Sequence, residues 1–150
     1  MPHRFEYSIL TRCDRNTAWD FFTDIRRWNS CADSYREIRW MEGEPWEVGS
    51  RLEIELKDPG PVTVKQVIIA CVLHEKIAWI NHAMGIAIEQ WVLFEDGPGG
   101  GAKISTWLDY TGFRSALFGR PIEDLIREFM TTWYNGFRER CNELVSARAT

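Results

Sequence analysis

The chain has 150 residues, a length usual for one domain and enough to bury roughly 70% of its unfolded surface around an ordinary hydrophobic core. With 45% apolar and 27% charged residues, its composition is that of a globular soluble protein. The formal net charge is -4 and the basic residues are scattered among acids, which argues against a phosphate-binding surface and against nucleic acid as a partner.

Met1-Pro2-His3-Arg4-Phe5-Glu6 runs straight into alternating sequence with no apolar signal segment, which points to the cytoplasm. From His3 to Arg12 the pattern predicts a strand, with Phe5, Tyr7 and Ile9 alternating against Arg4, Glu6 and Ser8. Asp14 suits a helix N-cap, where its carboxylate can accept from the free amides of the next turn. Ala18, Phe22 and Ile25, with Trp28 beyond, recur at helical spacing and predict one helix followed by a second short one. Strands are expected near Tyr35–Met41, Arg51–Lys57, Val62–Leu73, Lys76–His82, Ile86–Glu95 and Lys103–Tyr110. Turn residues separate them: Gly43-Glu44-Pro45, Asp58-Pro59-Gly60-Pro61 and the Gly-rich run Asp96 to Gly101. Such short links imply an antiparallel meander. Leu52, Ile54 and Leu56 alternate with Arg51, Glu53, Glu55 and Lys57, so one face of the sheet is wet there.

The last element is a long helix from Pro121, well placed in a first turn, to about Ala147, roughly 40 Å. Ile122, Ile126, Phe129, Trp133, Phe137, Cys141 and Leu144 form its apolar stripe. The longest uncharged run, Ile77 to Ile88, is too short to span a bilayer, so no integral membrane association is expected. A sheet must cover its apolar face, and the long helix carries the matching stripe. A strongly curved sheet around such a helix cannot close tightly everywhere, so a pocket between them is expected. The eight tryptophans and eight phenylalanines fit that expectation, since large rings are buried, line a cavity or form an interface.

Ala18-Trp19-Asp20-Phe21-Phe22-Thr23-Asp24 through Trp28, then Tyr35 to Gly43, then Val48-Gly49-Ser50-Arg51-Leu52 resemble the opening of the helix-grip superfamily. That superfamily (Bet v 1-like, START, SRPBCC) includes birch-pollen allergens, lipid-transfer domains and polyketide cyclase/dehydrase-like proteins. Trp91 to Glu95 before the Gly-rich hairpin, the strand ending Tyr110-Thr111-Gly112 and the amphipathic final helix extend the resemblance over essentially the whole chain. It implies an α+β helix-grip fold: a curved antiparallel sheet of about six to seven strands around a long C-terminal helix, with two short helices after the first strand. Residues 1–150 would then form a single ligand-binding domain.

The resemblance also implies a protein that carries or sequesters a small hydrophobic molecule such as a lipid, polyketide or aromatic compound, with no cofactor. Two alternatives stand beside it: a cyclase/dehydratase-type enzyme acting in the same cavity, and a co-chaperone-like protein-interaction module.

The walls of such a cavity would be Phe129, Trp133 and Phe137 on the helix and Ile54, Val64, Ile68, Ile88, Val92 and Leu108 on the sheet. Gln66 and Gln90 share the parity of these apolar residues, and a buried amide in an apolar pocket fixes a ligand's orientation. Tyr110 shares that face, and His82 lies beside Asn81 at a strand end; in an enzyme these two would handle protons. The same parity puts Trp91 and Trp107 on the opposite face. Either they cover the outer sheet, where an exposed aromatic pair would mark a homodimer interface, or the assignment is reversed and they line the cavity.

Nothing points to a metal. His3, His74 and His82 form no HxxxH or HxH, and Cys13, Cys31, Cys71 and Cys141 form no CxxC. The four cysteines are expected to be reduced thiols. No GxSxG elbow occurs, and Gly97 to Gly101 joins two strands rather than cradling phosphate.

Overall fold

The computed structural model describes residues 3–112 and 116–149. Strand β1 (His3–Thr11) leads into helix α1 (Arg15–Thr23), a 3-10 turn at Ile25–Arg27 and the short helix α2 (Trp28–Cys31). Six strands follow: β2 (Tyr35–Glu42), β3 (Arg51–Leu56), β4 (Val62–Val72), β5 (Lys76–Ala83), β6 (Ile86–Asp96) and β7 (Ala102–Gly112). A small ladder of β8 (Ala116–Leu117) with β9 (Arg120–Pro121) precedes the long helix α3 (Ile122–Ala149).

The first seven strands make one sheet in the order β1-β7-β6-β5-β4-β3-β2, with every neighbouring pair antiparallel. This is the expected α+β layout, with β1 and β2 at opposite edges and the short helices spanning the gap between them. The Asp14 carboxylate accepts from the Thr17 amide at 2.7 Å, so the expected N-cap forms and starts α1. Two indoles then pin the C-terminal end of α1: Trp28 Nε1 donates to the Phe22 carbonyl at 2.8 Å, and Trp46 Nε1 to the Thr23 carbonyl at 2.8 Å.

Strand parity sets the two faces. On β7, Ile104, Thr106, Leu108 and Tyr110 are buried, while Lys103, Ser105, Trp107 and Asp109 point the other way. Trp91 and Trp107 face each other across β6 and β7 and stack on the outer surface, 6.2 Å apart and 11° from parallel. Their surroundings partly cover them: the Arg4 guanidinium lies 5.9 Å over Trp107, and Trp91 Nε1 donates to Glu89 at 3.0 Å. The register shifts between Ile68 and Ala70 in β4 and at two points in β2. Such bulges bend and twist strands, which lets the sheet curl around α3.

Helix α3 buries Ile122, Leu125, Met130, Trp133, Tyr134, Phe137 and Cys141. It also approaches α2 closely at Gly136, where a Cβ would lie 1.9 Å from the Cys31 carbonyl oxygen. Arg140 reinforces that approach by donating to the Ser30 carbonyl at 3.3 Å.

Two details differ from expectation. The β8–β9 ladder has strands of two residues, too short to show a hydrophobic period, and Pro121 belongs to it, so α3 starts one residue later at Ile122. The Phe118 ring in its turn lies over Gly60, where a Cβ would come within 2.5 Å of the ring, so the ladder rests on the β3–β4 loop.

Candidate functional site

A cavity of about 210 Å³ lies between the inner face of the sheet and α3. Its deep end is aromatic, with Phe22 from α1, Trp28 from α2, Trp79 from β5 and Trp133 from α3. The sheet wall is Ile54, Val64, Gln66, Ile88, Gln90 and Leu108. The helix wall includes Ile126, Phe129, Met130 and Tyr134, and more exposed lining comes from Pro59, Leu117 and Met84. Met84 and Gly85 both have positive φ (48° and 78°), as a type I′ hairpin requires, so the β5–β6 turn presents Met84 at the edge of the cavity.

Of the residues expected from sequence, Ile54, Val64, Gln66, Ile88, Gln90, Leu108, Phe129 and Trp133 come together on this cavity. Ile68, Val92 and Phe137 lie on the same inner faces but are packed into solid core, at 1%, 0% and 0% exposure. Tyr110 is buried and stacks on His3 at 5.3 Å, beyond the cavity wall. His82 is exposed on the outer face, and it is its neighbour Asn81 that lines the cavity. Phe22, Trp28, Tyr35, Trp79 and Tyr134 also line it and were not among the expected residues.

The two glutamines differ chemically. Gln90 Nε2 donates to Thr106 Oγ1 at 3.0 Å and to Tyr134 Oη at 3.2 Å, and Thr106 in turn donates to the Trp91 carbonyl at 2.8 Å. Its amide nitrogen is satisfied within the protein. Gln66, 2% exposed, has an Nε2 with no hydrogen-bond partner, and so do Trp79 Nε1 and Asn81 Oδ1, whereas the Trp133 indole is directed at the Tyr35 phenol. All three unpartnered atoms belong to cavity-lining residues. Gln66 and Asn81 face each other directly across β4 and β5.

Among the described residues lining the cavity, none is Asp, Glu, Lys, Arg or His; its ionisable groups are the phenols of Tyr35 and Tyr134. Burial drives both pKa values far above the ordinary phenol range; Cys31 adds to the shift at Tyr35 and a hydrogen bond with Trp133 opposes it, while hydrogen bonding with Thr106 and Gln90 opposes the shift at Tyr134. Both phenols are therefore neutral near pH 7, where they act as hydrogen-bonding groups and not as bases. A raised folded-state pKa means stability that is fully present below about pH 10, the unfolded phenol value, and is lost as pH rises beyond it. Each phenol then weakens folding by about 1.4 kcal/mol per pH unit. Ultraviolet titration should show these two tyrosines ionising only as near-ultraviolet circular dichroism is lost; ionisation of both in a still-native protein would contradict the burial.

Among the described residues, no group of three or more His, Cys, Asp or Glu gathers to hold a metal ion, and no helix is long and apolar enough to cross a membrane. No protein-family model and no curated protein matches the sequence. Solved structures do match in three dimensions. The Zhui aromatase/cyclase of Streptomyces sp. R1128 superposes with a TM-score of 0.81 at 9% identity, over 97% of this chain and 96% of that one. A START superfamily protein from Mycobacterium smegmatis gives 0.78 at 11% identity, over 95% and 99%. Ara h 8.0201 gives 0.76 at 11% identity, over 94% and 98%. The chain therefore has the helix-grip fold shared by START, Bet v 1-like and aromatase/cyclase structures.

Proposed function

We propose that this protein is a single ligand-binding domain that carries or sequesters a small, largely apolar molecule inside the cavity. The observation that carries the reading is the wall itself: apolar and aromatic side chains enclosing space, with a few neutral polar atoms and no charged side chain among the described lining residues. Concave, mostly apolar sites with a small number of placed polar groups are what small-molecule binding requires. Turnover is less well supported, because proton transfer near pH 7 needs a group poised near that pH and both cavity phenols are held neutral. The four cysteines are free thiols, which suits a reducing compartment such as the cytoplasm.

Native mass spectrometry of the purified protein tests the reading, with extraction of anything bound and then incubation with a panel of small hydrophobic compounds. A reproducible added mass from an apolar or aromatic compound is the expected result. An unliganded mass that stays unchanged across the panel would sink it.

A further inference from the structure

We propose that the cavity selects a neutral, planar, oxygen-bearing aromatic molecule of about two rings, its oxygenated edge seated on Gln66 and Asn81. The proposal rests on the binding reading above and deepens it to a ligand class. Size comes first. An apolar cavity of about 150 Å³ accepts one benzene ring, so about 210 Å³ holds a second fused ring within the walls.

The walls set the shape. Phe22, Trp28, Trp79, Phe129 and Trp133 present ring faces and edges, which favour offset and edge contacts with another flat ring over a flexible chain.

Charge is excluded by what a charged ligand would meet. No cationic or anionic side chain among the described lining residues could pair with it, and an unpaired ion in an apolar enclosure is heavily penalised.

Polarity comes from the unpartnered atoms. Buried polar groups in folded proteins are almost always hydrogen-bonded, so three orphans on one cavity call for an explanation. Gln66 Nε2 and Trp79 Nε1 can donate, and Asn81 Oδ1 can accept. A hydroxyl or carbonyl oxygen accepts from the donors, and a hydroxyl proton also satisfies the asparagine oxygen. Gln66 and Asn81 are direct cross-strand neighbours, so one oxygenated edge reaches both. Gln90 is not part of this seat, because Thr106 and Tyr134 already occupy its amide nitrogen.

Equilibrium dialysis of the full chain against three probes of one ring skeleton tests this: naphthalene, 2-naphthol and 2-naphthoate at pH 7. The wild type should bind 2-naphthol at least about tenfold more tightly than either of the others, since a site built to hydrogen-bond a hydroxyl rejects the analogue that lacks it. Gln66→Leu should lose about tenfold in 2-naphthol affinity while binding naphthalene as well or better. Its melting temperature should not fall, because an unpaired buried amide has been removed.

Naphthalene binding as tightly as 2-naphthol, or Gln66→Leu keeping the preference, overturns the polar seat while leaving an apolar binding protein. Tighter binding of 2-naphthoate overturns the requirement for neutrality. Binding of none of the three overturns the ligand class, and if the wider hydrophobic panel also fails, the binding reading goes with it.

Discussion

Replacing Gly136 by alanine is expected to lower the melting temperature by roughly 4–12 °C, from about 2–3 kcal/mol of lost stability at about 2–4 °C per kcal/mol for a chain of this size. Ordinarily a glycine in mid-helix gains about 1 kcal/mol on becoming alanine. Here the new methyl would sit 1.9 Å from the Cys31 carbonyl oxygen and 2.8 Å from its carbon. Both atoms are backbone, so no side chain can swing aside to make room. Helices α2 and α3 would have to separate, loosening Trp28 and Cys31 from the core and weakening the Arg140 contact with Ser30. Overpacking against rigid neighbours outweighs helix propensity. Thermal unfolding of Gly136→Ala beside a Thr132→Gly and Thr132→Ala pair at an exposed position of the same helix separates the two effects. A Gly136→Ala protein as stable as wild type would mean that the two helices are not held at that distance.

Phe22→Ala should be the other large loss, about 3–5 kcal/mol. The Phe22 ring is 1% exposed and stands at the centre of an aromatic cluster. Its centroid lies 5.4 Å from Phe94 and Trp133, 5.7 Å from Phe137 and 6.1 Å from Trp79. Phe22 also closes the deep end of the cavity, so truncation merges the vacated space with it. An apolar void of that kind binds small aromatics, and binding to the folded state alone raises stability. Adding benzene should therefore raise the melting temperature of Phe22→Ala by more than that of wild type. A variant losing under about 1 kcal/mol would show that the cluster repacks around the gap.

The fold was largely legible because its strands alternate cleanly. The parity of Leu52 and Ile54 on β3, set against charged neighbours, assigns the inner face there. On β6 and β7, Trp91 and Trp107 occupy the opposite parity and leave two assignments open. Only the structure puts Gln90, Val92, Thr106 and Leu108 inside. Parity gives the face of a residue but not its depth, which is why Ile68 and Val92 sit on the right surface yet lie in solid core beside the cavity. On β5 the signal fails altogether. Ile77, Trp79 and Asn81 alternate with Ala78, Ile80 and His82, so both parities read as apolar with one polar residue each. Only the register, which sets Asn81 opposite Gln66 and Ile88, shows that asparagine faces the cavity and histidine the outer surface. Tyr134 was missed for a related reason: it flanks Trp133 on a broad helical stripe, and which flank meets the opening depends on the roll of α3. Nothing in the one-dimensional pattern could have separated Gln66 from Gln90, because the distinction lies in Thr106 and Tyr134 reaching one amide and not the other.

The pairing of β1 with β7 has a consequence for how the chain assembles. Thr11 contacts the Ala102 carbonyl across 91 residues, and Arg4 reaches Asp109 across 105, so the first strand joins the sheet only through nearly the last. Closing so long a loop precedes any gain from the contacts it makes, and topologies dominated by such pairings fold slowly. During synthesis the strand emerges with Phe5, Tyr7 and Ile9 uncovered and waits until β7 and α3 have been made. Strand β1 is thus the part of the sheet most exposed to mispairing before it is built, and its docking completes the sheet at the β7 edge, against α3.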